Sequence, residues 1–394
     1  MFPHVRPRTL GVMTTIETAR APWPAVSSVA VGTFTIVTSE MLPVGLLTPI
    51  GSTLGVSDGV AGLTMSAPGV VAALSAPLLT VVAGRLDRRI VLIALMALLA
   101  GANLLAAYSP TYAVMLVARV LVGVSIGGFW AFAATLPTRL VPEQHVGRAA
   151  AMIAGGVSVA SVLGVPAGTL ILSLAGWRTA FVAVAVLAVV VLVALVLVLP
   201  PLPATQAVRP AQLLAVWRDS ALRTALVATA LVVTGHFAAY TYIRPFLEQV
   251  SGAGPALISG LLLAYGVAGV VGNFASGAQA ARGPRQIMVV LAVLIAVSTM
   301  GMPLAGAAML LLWGLSYGGV SVTGQLWVAR SGGGEAGMAM LSSVFNAAIA
   351  LGALLGGVIV DAASPSAVMW FGAVLALLTA AYAGTWGRRR TIGS

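Results

Sequence analysis

The chain has 394 residues, 60% of them hydrophobic and only 7% charged, with a mean hydropathy of +1.06. Soluble domains carry about 25% charged residues, so this chain cannot coat a water-facing surface and reads as a protein that crosses a membrane many times. The net charge of +11 comes from 20 arginines and no lysine, and their placement in short loops between apolar runs is a topology signal, not a nucleic-acid-binding surface.

In chain order, residues 1–23 are polar and contain proline, with no apolar core before Pro24. This predicts a cytoplasmic tail and no cleaved signal peptide, with Met1 and Met13 both able to be the start. Windows of about 20 apolar residues then place spans near 24–50, 60–83, 90–108, 111–136, 148–173, 178–200, 221–248, 256–281, 286–302, 304–328, 337–361 and 366–386. Runs such as "FVAVAVLAVVVLVALVLVLP" are apolar on both faces and too long for the strands of a membrane barrel. The fold class is therefore all-α, with 12 transmembrane helices. The polar stretch 201–220 divides them into a first unit of six, 24–200, and a second, 221–386, followed by a tail, 387–394. Twelve spans put both termini on one side, and 17 of the 20 arginines fall on that side. Arg178 and Arg244 lie toward the other side and Arg119 is inside a span, so both ends are expected in the cytoplasm.

The halves resemble each other. Val37-Thr38 falls on Val233-Thr234 and Glu40 on His236 at an offset of 196 residues, and the same offset carries Gly123-Val124-Ser125 onto Gly319-Val320-Ser321. In span 5, Gly164 and Gly168 meet Gly352 and Gly356 of span 11 at an offset of 188. A duplicated six-helix unit with a site between the copies is a recurrent transporter plan.

Glu40 is the one charge between Pro24 and Ile50. A charge at the bilayer centre costs about 2.5–3.5 kcal/mol even on forgiving scales. Glu40 lies about 24 Å along its helix and Arg119 about 12 Å from the opposite end of span 4, so the two share a depth. One reading is a structural ion pair, whose desolvation offsets much of its attraction. The other is a protonatable carboxylate tuned by burial and a nearby arginine, and this makes Glu40 and Arg119 the candidate proton-coupling pair.

His236 and Tyr240 share a helical face within "HFAAYTYIRPF", an aromatic wall suited to a planar ligand. Trp130 follows Arg119, Gly123 and Ile126 on one face; Tyr317, Ser321 and Gln325 run i, i+4, i+8; Asn346 sits in span 11. Each alone fits helix–helix hydrogen bonding; together His236, Tyr240, Trp130, Tyr317, Gln325 and Asn346 outline a candidate substrate cavity. "AGRLDRR" (83–89) either anchors span 2 by its arginines or latches loops through Asp87. "GGVSVASVLGVPAGT" (155–169) combines close-packing glycines with Pro166, where the helix is able to bend. With no cysteine and with His4, His145 and His236 far apart, no metal site is expected.

These residues resemble those of the major facilitator superfamily over nearly all of 24–386, and within it the twelve-span drug:proton antiporters. "TSEMLPVGLL" and "GHFAAYTYIRPFL" are similar to patterns of bacterial sugar-efflux and purine-nucleoside exporters. The resemblance implies two pseudo-symmetric six-helix bundles around a cavity lined by spans 1, 4, 7 and 10. It makes Gly84, Asp87, Arg88 and Arg89 a compressed cytoplasmic gate motif, lacking its second glycine, and Arg119 the family's span 4 arginine. Gly156, Gly164, Pro166 and Gly168 correspond to the antiporter motif, although Val165 separates Gly164 from Pro166 and Thr169 replaces the final glycine.

The expected activity is proton-coupled export of a small organic solute, a sugar, nucleoside or drug, by a monomer in a bacterial cytoplasmic membrane. Protons are the coupling ion, and neither a cofactor nor a nucleic acid is a partner. A facilitator or uptake symporter would use the same scaffold. An enzyme would show a dense catalytic cluster and a sensor an added soluble output domain, and the sequence displays neither.

Overall fold

The computed structural model describes residues 23–82, 86–133, 136–203, 216–280 and 282–386. The two tails, most of the linker and Gly84 of the gate motif lie outside the described residues. Eleven helices among the described residues are long and apolar enough to cross a membrane. Span 1 is Trp23–Leu54, span 2 Leu63–Val82, span 3 Arg88–Ala107, span 4 Tyr112–Ala133, span 5 Val146–Ala175 and span 6 Trp177–Val198. In the second half, span 7 is Ser220–Tyr240, span 8 Pro255–Ala280, span 11 Gly334–Ala362 and span 12 Pro365–Trp386.

Spans 9 and 10 lie in the stretch Pro284–Arg330, 47 residues that a kink divides into two helices, as the sequence expects. At 1.5 Å per residue one straight helix of that length would reach about 70 Å, more than twice a bilayer core of about 30 Å. The stretch bends at Ala305 (φ −140°, ψ 43°), just past Pro303, which has no N–H for the helix ladder. The arms fold back on each other, since Met309 packs against Gly301. The two helices thus make two passes, and twelve crossings result.

Span 7 does not run to 248 as its apolar length predicts. It ends at Tyr240, and a short helix, Ile243–Gln249, continues at a new angle. Pro245 again removes a ladder donor. The phenol of Tyr242, at the break, donates to the Ala353 carbonyl of span 11 (2.8 Å). A second short helix, Asp58–Ala61, precedes span 2; Ser57 caps it by accepting from the Val60 N–H (3.1 Å), as N-cap serines do.

The contacts repeat between halves. A Cβ on Gly164 would stand 3.4 Å from Thr38, and one on Gly352 would run into the Thr234 carbonyl. Gly168 faces Leu42 as Gly356 faces Ala238. Spans 1 and 5 therefore pair as spans 7 and 11 do, at the registers of the internal sequence match. Small residues at these crossings let the backbones approach, which is how helices associate where lipid is as apolar as the core.

Two ends are distinguishable. Arg88, Arg89, Arg139, Arg148, Arg218, Arg223, Arg285 and Arg330 lie at the arginine-rich end; the turns after spans 1, 3, 5, 7, 9 and 11 form the far end. The bundles meet along a seam where Val44, Met65 and Val165 of the first join the buried apolar cluster of the second. Toward the far end Leu47 and Ala61 pack with Ala238, Tyr242, Val360 and Val368.

Candidate functional site

Glu40 is 6% exposed, and its Oε1 has no protein hydrogen-bond partner among the described residues. Of the two readings of Glu40 and Arg119, a structural ion pair is not what the guanidinium makes. Arg119 is fully buried and donates to three carbonyls: Nε to Thr64 (2.7 Å), one terminal nitrogen to Ser39 (2.9 Å), the other to Glu40 (3.1 Å). The choice of carbonyls has a cause. Ser39 stands four residues before Pro43, and Thr64 four before Pro68, so both lack the N–H that closes a helical turn. Arg119 supplies it from span 4 and ties spans 1, 2 and 4 together. Span 3 joins through Asn103, whose Nδ2 donates to Ser39 Oγ (2.9 Å) and to the Leu99 carbonyl (2.8 Å). The scaffold around Glu40 is thus bonded while its carboxylate is not, and the positive charge of Arg119 stands beside it.

Across the seam lies a group of rings. His236 stacks on Tyr317 with planes 4° apart and on Tyr240 at 5.1 Å, and meets Trp313 edge-on at 5.4 Å. Tyr240 in turn stacks on Tyr265 at 4.9 Å. The aromatic wall on span 7 is present, and the structure adds two rings that the sequence does not single out, Tyr265 of span 8 and Trp313 of span 10. His236 Nδ1, Trp313 Nε1 and Tyr317 Oη are buried with no protein partner among the described residues, and each such atom costs about 1–3 kcal/mol. Native folds keep few of them, so a cluster is informative. His236 is 2% exposed, covered by the rings, with half-buried Tyr317 stacked on its face. Met41, next to Glu40, packs against the apolar cluster that includes Tyr240, Tyr265 and Trp313.

Other expected site residues are not drawn into this group. Trp130 is half-buried against the core of the first bundle. Gln325 donates to Ser321 in its own helix (3.1 Å), and Asn346 to the Ser342 carbonyl (3.0 Å). Both satisfy themselves locally, as isolated polar groups in apolar helices do. The gate residues bond their loop to the start of the linker. Asp87 caps span 3 by accepting from the Arg89 N–H (2.8 Å) and accepts from the Leu202 N–H (2.9 Å). Arg89 donates to the Val196 carbonyl (2.6 Å), and Arg88 lies over the Phe132 ring at 4.6 Å. These contacts stay within the first bundle and its exit into the linker.

Span 5 remains helical through Pro166. The Val162 carbonyl, four residues earlier, faces Gly266 of span 8, where a Cβ would come within 2.7 Å of the Val162 Cα. Gly156 lies against the Ala30 carbonyl of span 1, whereas Gly155 has open space around it. Gly156→Ala should therefore wedge spans 1 and 5 apart at a cost of about 1–3 kcal/mol. Gly155→Ala should leave stability equal or slightly higher. Melting curves of the two purified variants check this; equal melting temperatures would remove the close-packing role of Gly156.

The model of the Major Facilitator Superfamily matches residues 29–340. The chain belongs to that superfamily. It is a transporter-family protein and not an enzyme. Among its relatives in this superfamily is a protein of Pseudomonas aeruginosa named transcription regulatory protein OpdE. The two are 34% identical over 370 residues, which is 91% of this chain and 92% of the relative. The purine ribonucleoside efflux pump NepI of Escherichia coli K12 is 31% identical over 369 residues, 92% and 93% of the two chains. NepI of Salmonella typhimurium is 32% identical over 351 residues, 87% and 88%. Solved structures share the fold. A bacterial homologue of the human lysosomal transporter Spinster, inward-facing and unoccupied, superposes with a TM-score of 0.72 at 15% identity, covering 94% of this chain and 98% of that one. The human organic anion transporter MFSD10 gives 0.65 at 18%, covering 92% and 99%.

Proposed function

We propose that this superfamily member is a proton-coupled exporter of a small planar solute of the purine-ribonucleoside kind, working as a monomer in a bacterial cytoplasmic membrane. The observations that carry the reading are the buried Glu40 carboxylate, whose Oε1 has no protein partner among the described residues, and the aromatic stack around His236 in the second bundle. A carboxylate in an apolar helix is tolerable when it binds a proton, and it is released to bind one when no ion pair holds it. Stacked Tyr, Trp and His rings bind flat heterocycles through dispersion and leave their polar tips for hydrogen bonds. The name borne by NepI supports both the purine class and the outward direction. In this reading the arginine-rich end faces the cytoplasm, and alternation between two states couples proton entry to solute exit.

The test is uptake of radiolabelled inosine or adenosine into everted vesicles, with and without an inward-acidic pH gradient. Gradient-driven accumulation is the expected result. Accumulation that ignores the gradient would leave a facilitator, and transport in the reverse sense an uptake symporter. His236→Asn is expected to raise the KM for the nucleoside several-fold while leaving the pH dependence of the maximal rate in place; the opposite pattern would move His236 into the proton path. The name of OpdE motivates a second reading, a membrane-embedded regulator, which predicts nucleoside-independent effects on gene expression and no vesicle transport.

A further inference from the structure

The bonds that cross from bundle to bundle cluster at the far end, and two of them have an unusual origin. Arg244, in the short helix after span 7, is 3% exposed and donates to the Gly45 carbonyl of span 1 at 2.6 Å. Its other terminal nitrogen pairs with Glu248, one turn on in its own helix, at 2.7 Å. Gly45 stands four residues before Pro49, so the helix of span 1 offers its carbonyl no N–H. The donor it takes instead belongs to the opposite bundle, 199 residues away.

The second point lies at the end of span 11. One oxygen of the Asp361 carboxylate accepts from the Gly59 N–H (2.8 Å) and the other from the Ser57 hydroxyl (2.5 Å). Gly59 admits no side chain, because a Cβ there would run into Asp361 and the Gly357 carbonyl. Gln249 reaches back to Asp58 (3.2 Å), and the Tyr242 phenol fills the space beside Gly62. Segments 57–62 of one bundle and 242–249 of the other therefore interlock.

We propose that Arg244 and Asp361 form a two-point clasp that holds the far end shut, Arg244 through the carbonyl that Pro49 leaves free and Asp361 through the backbone of Gly59 and the hydroxyl of Ser57. Opening the far end separates the bundles at both points. It strips the Gly45 carbonyl of a donor that its own helix is unable to replace, so the closed state is favoured until water reaches that carbonyl. Arg244 is thus a positioning residue of the transport cycle, and the proposal stands whatever the solute or coupling ion.

The chain has no cysteine, so single cysteines report accessibility cleanly. Val44→Cys sits in the buried seam and Gln325→Cys on an exposed face toward the arginine-rich end. Each is placed in the detergent-solubilised full chain and timed for reaction with a water-soluble maleimide. Adding Arg244→Gln or Asp361→Asn should speed labelling at position 44 by about tenfold, the population shift that loss of one charge-assisted bond allows, and leave it unchanged at 325, which is already exposed. Pro49→Ala gives Gly45 a helical donor, so opening no longer orphans the carbonyl. It should shift labelling the same way in a helix made more regular, and it decides the matter should Arg244→Gln fail to fold. Unchanged rates at position 44 would overturn the clasp. So would faster labelling at both positions, which marks general loosening and not gate opening.

Discussion

Glu40→Gln is expected to reduce gradient-driven nucleoside transport to the level of vesicles lacking the protein, while expression, membrane insertion and melting temperature stay close to those of the unmodified chain. The amide matches the carboxyl in shape, and the neighbouring bonds survive, because Arg119 grips the main-chain oxygens of Ser39 and Glu40 and not the carboxylate. What disappears is the only titration available at that point of span 1. Nucleoside binding, read by thermal shift or by scintillation proximity, should persist, since the rings of the second bundle are untouched. Gradient-driven accumulation that survives in this variant would remove Glu40 from the coupling reaction. Loss of binding together with transport would make it a substrate contact instead.

Arg119→Ala should be the most damaging single change to both stability and activity. It leaves the Ser39 and Thr64 carbonyls, which Pro43 and Pro68 have already deprived of helical donors, without any partner. An orphaned buried carbonyl costs about 1–3 kcal/mol, and more where lipid excludes water. Interhelical bonds in membranes average only about 0.6 kcal/mol, so the orphaned acceptors dominate the loss. A fall in melting temperature of roughly 5–10 °C is expected, with transport abolished. Arg119→Lys should recover part of the stability and none of the transport, because an ammonium is a point donor and does not span three carbonyls as the planar fork does. Arg178→Ala is the control. Arg178 is half-buried at the far end, lies over Trp177 at 4.2 Å and donates to the Ser109 carbonyl at 3.3 Å. Its loss should change the melting temperature little. If the two alanine variants melt together, Arg119 does not staple the first bundle.

Much of this architecture is legible in the residues alone. Apolar stretches of bilayer length place the spans, and the shared registers of Thr38 with Thr234 and of Gly164 with Gly352 announce a duplication that the helix contacts repeat. The cost of a lone carboxylate in lipid singles out Glu40 before any neighbour is known. The prolines carry a further signal: Pro43, Pro49 and Pro68 each mark, four residues earlier, a carbonyl in need of an outside donor. Proline chemistry says that a donor is required; it does not say that Arg119 and Arg244 supply it.

Those partners are tertiary. The helices are apolar on nearly every side, and lipid tails are no less apolar than a helix neighbour, so hydrophobic periodicity does not tell which face of span 8 or span 10 turns inward. Tyr265 is brought beside Trp313, and both beside His236, because spans 8 and 10 pack on Gly272, Gly314 and Gly318. Trp130, Gln325 and Asn346, equally polar in sequence, end elsewhere. Composition, length and lone charges determined that the chain crosses a membrane twelve times around an ionisable residue. Backbone approach at glycine crossings decided which rings gather around His236, and which arginine crosses from one bundle to the other, because only there is a bond between groups 199 residues apart geometrically available.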